Sequence, residues 1–467
     1  MGKLVEGTDG KDIIIYPFAT TSGDDTVYGY GGDDQIGGGD GDDTILGGSG
    51  IDHIYGEDDN DTLKGGGGAD IIIGGDGIDT AAYGDSPAAV TVSLLSDIAG
   101  GGDATGDNLD EIENLLGSAH ADTLWGDNLT NVLNGQAGSD ELKGWGGDDI
   151  LWGGYGHDVL YGMEGVDDLY GEDGNDYLNG GGGADDMIGG IGNDIYIVDH
   201  AVDEVFEAAG QGNDIVRTSV SWTMTAGASI ETLETLNAAG TALINLTGNN
   251  IGNHLIGNNG HNVLDGGGGM DHMTGHGGND MYYVDNTGDW VTESGGGGMD
   301  EVRTTVSWTL TAGADVETLR AVPLISVIAI NLTGNETGNV VIGNFGNNVL
   351  NGGAGNDELT GQIGEDSFRF DTQLDADTNR DEITDFNVMY DTILLDDAIF
   401  SAFANGPLAA ERFVVGAAAQ DASDNIIYNS ATGAIYYDSD GSGAAAAVQF
   451  AQVTAGLALT HLDFAIV

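Results

Sequence analysis

The sequence predicts an all-β protein, made of parallel β-roll segments interleaved with small β inserts and closed by a β-rich C-terminal cap. Three observations predict it. Seven aspartates, Asp25, Asp34, Asp43, Asp52, Asp61, Asp70 and Asp79, stand nine residues apart, most of them in the frame G-G-x-G-x-D-x-U-x with U apolar. The same phase returns from Asp122 to Asp194, again from Asn253 to Asp280, and again from Asn339 to Asp366. A longer period of 86 residues overlies it, relating Asp194, Asp280 and Asp366, Trp222 and Trp308, and Leu246 and Leu332. Fixed internal periods dictate architecture ahead of any local propensity.

The elements follow in order. Residues 1–83 read as a first roll, with a looser copy at Gly7–Ile15 whose sixth position is Asp12. Residues 84–116 read as a β connector, because 88–95 alternate like a strand. A second roll at 117–197 is followed by a β insert at 198–247 and a short third roll at 248–283. The insert at 284–333 duplicates the first, Thr218-Ser219-Val220-Ser221-Trp222-Thr223 becoming Thr304-Thr305-Val306-Ser307-Trp308-Thr309, and a fourth short roll covers 334–370. From 371 the glycine phase stops, and 371–467 read as a cap of mixed strands.

The residue types explain the spacing. Glycine at the first, second and fourth positions of the frame permits backbone conformations that a Cβ penalises, so six residues turn and three form a short strand. The apolar eighth position, Val27, Ile36, Ile45, Ile54, Leu63 and Ile72 in the first roll and Leu124 to Leu178 in the second, points inward. The resulting core is one side chain thick, which requires bound metal to contribute folding free energy. Calcium takes six to eight hard oxygens at about 2.3–2.6 Å, and the sixth-position carboxylates with backbone carbonyls of stacked turns offer them. The expected ligands are Asp12, Asp25, Asp34, Asp43, Asp52, Asp61, Asp70 and Asp79 in the first roll, and Asp122, Asp140, Asp149, Asp158, Asp167, Asp176, Asp185 and Asp194 in the second. Asp271, Asp280, Asp357 and Asp366 follow in the short rolls. Asn131, Asn253, Asn262, Asn339 and Asn348 keep an oxygen but lose the charge, and are expected to give weaker or empty sites.

Composition agrees. The 467 residues hold 78 Asp and Glu against 10 Lys and Arg, a formal net charge of −68. Acids that recur periodically behave as ligands, with the missing positive charge arriving as cations. Nucleic acid is excluded as a partner, since phosphate neutralisation needs Lys and Arg. Membrane insertion is excluded as well, the longest apolar run, 321–330, being about half a membrane span. No cysteine is present, so disulfides contribute nothing. The N-terminus shows no apolar stretch or cleavage site of a secretory signal peptide.

These nonapeptides resemble the RTX (repeats-in-toxin, haemolysin-type calcium-binding) family. The C-terminal part resembles the cap that follows such rolls, through Asp381-Glu382-Ile383-Thr384-Asp385-Phe386, Tyr437-Asp438-Ser439-Asp440-Gly441-Ser442-Gly443 and the terminal Asp463-Phe464-Ala465-Ile466-Val467. The resemblance implies calcium as the cofactor, and an uncleaved C-terminal signal read by type I secretion machinery. It also implies release to the outside or surface of a Gram-negative bacterium. In calcium-poor cytosol the acidic chain should stay unfolded; at millimolar calcium outside, ligand binding to the native state alone drives folding.

Other chemistry is thin. Asp438 and Asp440 open a stretch that reads either as a lone calcium loop or as a polar turn, since Gln449 stands where an EF-hand needs Glu. Asp375-Ala376-Asp377-Thr378-Asn379 is a weaker version of the same. His272 and His276 share a face only on a helix, and no H-E-x-x-H, G-x-S-x-G or P-loop motif occurs, so no enzyme and no catalytic zinc are expected; the nine histidines are read as solvated loop residues. Tyr28, Tyr55, Trp125, Trp152, Tyr161 and Tyr170 at the ninth position face outward, from strand propensity or as a contact surface. The expected role is a structural, self-assembling protein of a surface layer, matrix or filament, whose partners are calcium and copies of itself. A monomeric adhesin or glycan-binding module is the alternative, and an enzyme with a site in an insert ranks third.

Overall fold

The computed structural model describes residues 2–15, 22–96 and 98–467, in two compact units, Met1–Leu236 and Asn237–Val467. In the first unit, strands stack in parallel with one nonapeptide skipped between neighbours. Thr44–Ser49 lies between Thr26–Tyr28 and Thr62–Gly67, with Ile45 opposite Val27 and Leu63. Gln35–Asp40, His53–Asp58 and Ile71–Asp76 stack in the same way on the opposite flank. Each coil therefore takes two repeats, and the nine-residue phase alternates between flanks. The eighth-position residues of both flanks meet inside: Val27, Ile36, Ile45, Ile54, Leu63 and Ile72, and Leu124 through Leu178, are all 0% exposed.

The segments expected to interrupt the rolls contribute strands to the same sheets. Asn114–Leu116, in the connector, pairs with Thr80–Ala82 on one side and Val132–Asn134 on the other, so this flank runs unbroken from Leu4–Glu6 to Glu204–Phe206. The opposite flank does change sheet there. Asn108–Asp110 closes one sheet on Ile71–Asp76, while Thr91–Ser93 opens another against Thr123–Trp125 and takes Ile98–Gly100 as an antiparallel edge. The first insert continues the coil with altered lengths: Ile195 pairs with Ile215, and Ile215 with Thr232. Trp222 is buried there, donating its indole N–H to the Asp203 carbonyl at 3.0 Å.

The second unit repeats the scheme. Met281 pairs with Glu301, Glu301 with Thr318, and Thr318 with Val340. Its last strands are mixed: Ala434–Tyr437 pairs antiparallel with Ile426–Asn429 and Val448–Gln452, while the terminal Phe464–Ile466 lies parallel to Thr392–Leu395. Phe400, Phe450 and Phe464 fill this end, so here a core of aromatic thickness replaces the single apolar layer. Among the described residues, no helix is long and apolar enough to cross a membrane.

Candidate metal centre

The sixth-position aspartates form two columns, one per flank, and each carboxylate has two distinct oxygens. Oδ1 accepts the backbone N–H of the sixth-position residue one coil earlier: Asp43 from Asp25 at 2.6 Å, Asp52 from Asp34 at 2.8 Å, Asp61 from Asp43 at 2.7 Å, and so on to Asp194 from Asp176 at 2.8 Å. This bond fixes the rotamer and aims the other oxygen into the turn. Oδ2 of Asp34, Asp43, Asp52, Asp61, Asp70, Asp79, Asp140, Asp149, Asp158, Asp167, Asp176, Asp185, Asp194, Asp271, Asp280 and Asp357 is buried without any hydrogen-bond partner. A single such orphan costs about 1–3 kcal/mol, more when charged. Sixteen of them, all carboxylate, are satisfied together by bound cations.

The glycines show where the cation fits. A Cβ added at Gly47 would lie 2.5 Å from Asp52 Oδ2 and 2.7 Å from the Gly65 carbonyl, and one at Gly171 would lie 2.5 Å from Asp176 Oδ2 and 2.6 Å from the Gly189 carbonyl. First-position glycine thus keeps open a space on which a carboxylate of one turn and a carbonyl of the next coil converge. All the donors are hard oxygens, which is the chemistry calcium takes. The ion pairs of the described residues use Asp85, Glu141, Glu234, Glu301, Asp371 and Asp396, all outside these columns. Burial, followed by the neighbouring aspartates, pushes Asp61 up to about 8 and Asp70, Asp140, Asp167, Asp176, Asp185, Asp194 and Asp366 up to about 7.

Asp25 and Asp366 repeat the column bond, their Oδ1 atoms accepting from the Lys3 N–H at 2.6 Å and the Asn348 N–H at 2.8 Å. The other predicted ligands are placed differently. Asp12 and Asp122 turn Oδ2 back onto the N–H of the residue four before, Thr8 and Ser118. Asp440 Oδ2 takes the N–H groups of Ala444 and Ala445 at 2.9 and 3.2 Å, and Asp438 Oδ1 accepts the Asp440 N–H at 3.3 Å. Asp375 likewise closes its own turn, accepting from Asp377 and Thr378.

The asparagines act as clamps. The side-chain oxygen of Asn131, Asn262, Asn339 or Asn348 accepts the N–H four residues back, and its Nδ2 donates to a carbonyl of the preceding coil, Glu113, Ile244, Val316 or Ile330. Each of those carbonyls belongs to a connector or an insert. At these four positions one side chain supplies both the acceptor and the donor, so the turn and the carbonyl of the preceding coil are joined by hydrogen bonds alone.

Sequence reasoning missed the carboxylates that extend the columns beyond the glycine frame. Asp107, Glu113, Asp203, Asp289, Asp381 and Asp391 accept the N–H of Asp70, Asp79, Asp185, Asp271, Asp357 and Asp366. The 86-residue period relating Asp203 to Asp289 was the available signal.

On the outer faces, Trp152 stacks on Tyr170 at 3.9 Å and 7°, and the Lys143 ammonium lies 4.9 Å from the Trp125 ring and 5.4 Å from Tyr161. Three histidines read as loop residues are strand residues instead: His53 opens the strand His53–Asp58, and His254 and His272 are cross-strand neighbours whose rings stack at 4.5 Å.

Six stretches, residues 18–45, 46–81, 125–160, 161–196, 247–282 and 333–368, match the family model of the RTX calcium-binding nonapeptide repeat. No curated protein matches the chain.

Proposed function

We propose that this chain, built on RTX calcium-binding nonapeptide repeats, is an exported structural protein that folds on meeting calcium outside the cell and then assembles with copies of itself. Calcium binding itself belongs to the repeats. The observation that carries the reading is the pair of columns of buried, unpartnered carboxylate oxygens in a chain of net charge −68. Without cations such a chain repels itself and stays extended, a state that can be threaded through a secretion channel. Millimolar calcium supplies the charge the sequence lacks, in the affinity range of extracellular modules, about 10⁻⁴–10⁻³ M.

The structural role draws support from how the chain is spent. Among the described residues up to 370, repeats and coil-continuing inserts leave no stretch for a separate effector domain, which also favours a role without catalysis. Sedimentation velocity with chelator and at millimolar calcium, with electron microscopy of the calcium sample, tests it. Large ordered particles that dissolve on chelation are expected; a compact monomer at every concentration overturns the assembly reading. The stacked Trp152 and Tyr170, with Lys143 against Trp125 and Tyr161, favour a second reading as a glycan-binding module, which predicts saturable sugar binding by that monomer.

A further inference from the structure

The duplicated inserts carry a carboxylate arrangement that the nonapeptide frame does not contain. Asp194, Glu207 and Asp214 each offer an oxygen such that all three lie within 4.8 Å of one another, and Asp280, Glu293 and Asp300 do the same. All six are at most 5% exposed. The Oδ2 atoms of Asp194, Asp214, Asp280 and Asp300 have no hydrogen-bond partner. Their Oδ1 atoms are already held: Asp214 accepts from the Asp194 N–H at 2.9 Å, and Asp300 from the Asp280 N–H at 2.7 Å.

The glutamate is positioned by a tyrosine that replaces the inward aliphatic residue of an ordinary repeat. Tyr196 and Tyr282 are 0% exposed, and their hydroxyls donate to Glu207 and Glu293. Each glutamate's other oxygen accepts a following backbone N–H, from Ala208 at 3.2 Å and Ser294 at 3.0 Å. Both Tyr–Glu–Asp sets fall at the point where the coil lengthens, since the N–H to carboxylate step spans 20 residues there against 18 in the rolls.

From these two constellations we infer that each 86-residue module holds an additional calcium ion between its three carboxylates, sharing Asp194 or Asp280 with the nonapeptide column and fastening the lengthened insert coil to the roll before it. The inference rests on the calcium loading of the repeats. Two oxygens bound to one calcium lie at most about 4.6–5.2 Å apart, so three oxygens that are all within 4.8 Å of one another can share an ion. Burial first, with the neighbouring carboxylates adding to it, raises Glu207 to about 7 and Glu293 to about 8, so a proton competes with the ion.

The chain contains its own control. In the third copy of the 86-residue frame, Phe368 replaces the tyrosine, and Asn379 and Phe386 stand where the glutamate and second aspartate would be. There the Phe386 ring packs near Phe368, with centroids 5.9 Å apart, and the Asp366 N–H reaches Asp391 instead. Loss of the hydroxyl goes with loss of both extra carboxylates, as expected if the three serve one ion.

The test is calcium stoichiometry of the full chain by equilibrium dialysis, comparing the wild type with the Glu207→Gln/Glu293→Gln double variant at saturating calcium. The variant should bind two ions fewer per chain while its circular dichroism in calcium stays unchanged; equal stoichiometry in a folded variant overturns the inference. The Tyr196→Phe/Tyr282→Phe variant keeps every carboxylate and should show weaker binding of the same two ions only. Should the glutamine variant not fold, anomalous scattering from terbium-soaked wild-type crystals decides. Peaks within both carboxylate triads support the inference, and peaks in the rolls with none in the triads overturn it. No peaks anywhere would overturn it together with the calcium reading of the rolls.

Discussion

Removing calcium should make the fold depend on pH in the sense opposite to an ordinary acidic protein. Eight column aspartates, Asp61, Asp70, Asp140, Asp167, Asp176, Asp185, Asp194 and Asp366, are raised by burial from 3.8 to about 7 or 8. A carboxyl raised in the folded state favours its neutral form there. Its contribution to stability is therefore complete below the unfolded value of 3.8 and lost as pH rises through 7 to 8. A rise of about three pK units corresponds to about 4 kcal/mol, and solvent screening brings this to about 1–2 kcal/mol per group. Eight groups then lose about 8–16 kcal/mol, as large as the whole stability of a typical domain, about 5–15 kcal/mol.

The metal-free chain should thus be compact near pH 4.5 and unfolded at pH 7.5. Calcium at ten times its dissociation constant returns about 1.4 kcal/mol per ion, so roughly a dozen ions restore the fold at neutral pH. Circular dichroism and hydrodynamic radius in chelator, from pH 4.5 to 8.5 and at low concentration because the isoelectric point is about 4.1, measure this. A metal-free chain that is folded at pH 7.5, or equally unfolded at both ends of the range, refutes the reasoning.

Three further outcomes follow from single residues. Gly47→Ala places a methyl 2.5 Å from Asp52 Oδ2, and should remove about one ion and raise the calcium midpoint of folding, read by calcium titration. Met163 holds φ 84° at the second position of its repeat, where Gly154, Gly181 and Gly190 of the same roll stand; Met163→Gly should relieve about 1 kcal/mol of left-handed strain and raise the melting temperature in calcium. Asn348→Asp removes the donor to the Ile330 carbonyl and the Asn344 side chain, and should cost about 1–3 kcal/mol, measured as a lower melting temperature at saturating calcium. A gain in ion stoichiometry without loss of stability in that variant would contradict the clamp role.

The amino-acid sequence by itself determined the roll, its inward residues and the aspartate columns. A nine-residue period with glycine at the turns admits one backbone solution, and Ile45, Leu63 or Leu160 could point nowhere but inward once it was adopted. It also carried the duplication, since Trp222 and Trp308 repeat without insertion. Tertiary structure decided what the period could not express. That Asn114–Leu116 bridges Thr80–Ala82 and Val132–Asn134 depends on which strand edges the connector finds, a long-range pairing with no local signature. That Asn262 clamps the Ile244 carbonyl while Asp52 offers an orphaned oxygen depends on what the previous coil presents, a backbone carbonyl in one case and an N–H in the other. Glu207 and Asp214 lie 11 and 18 residues from Tyr196 in sequence and meet only because the insert coils back over the roll. Local periodicity writes the coil, and the contacts between successive coils decide which oxygens are left for an ion.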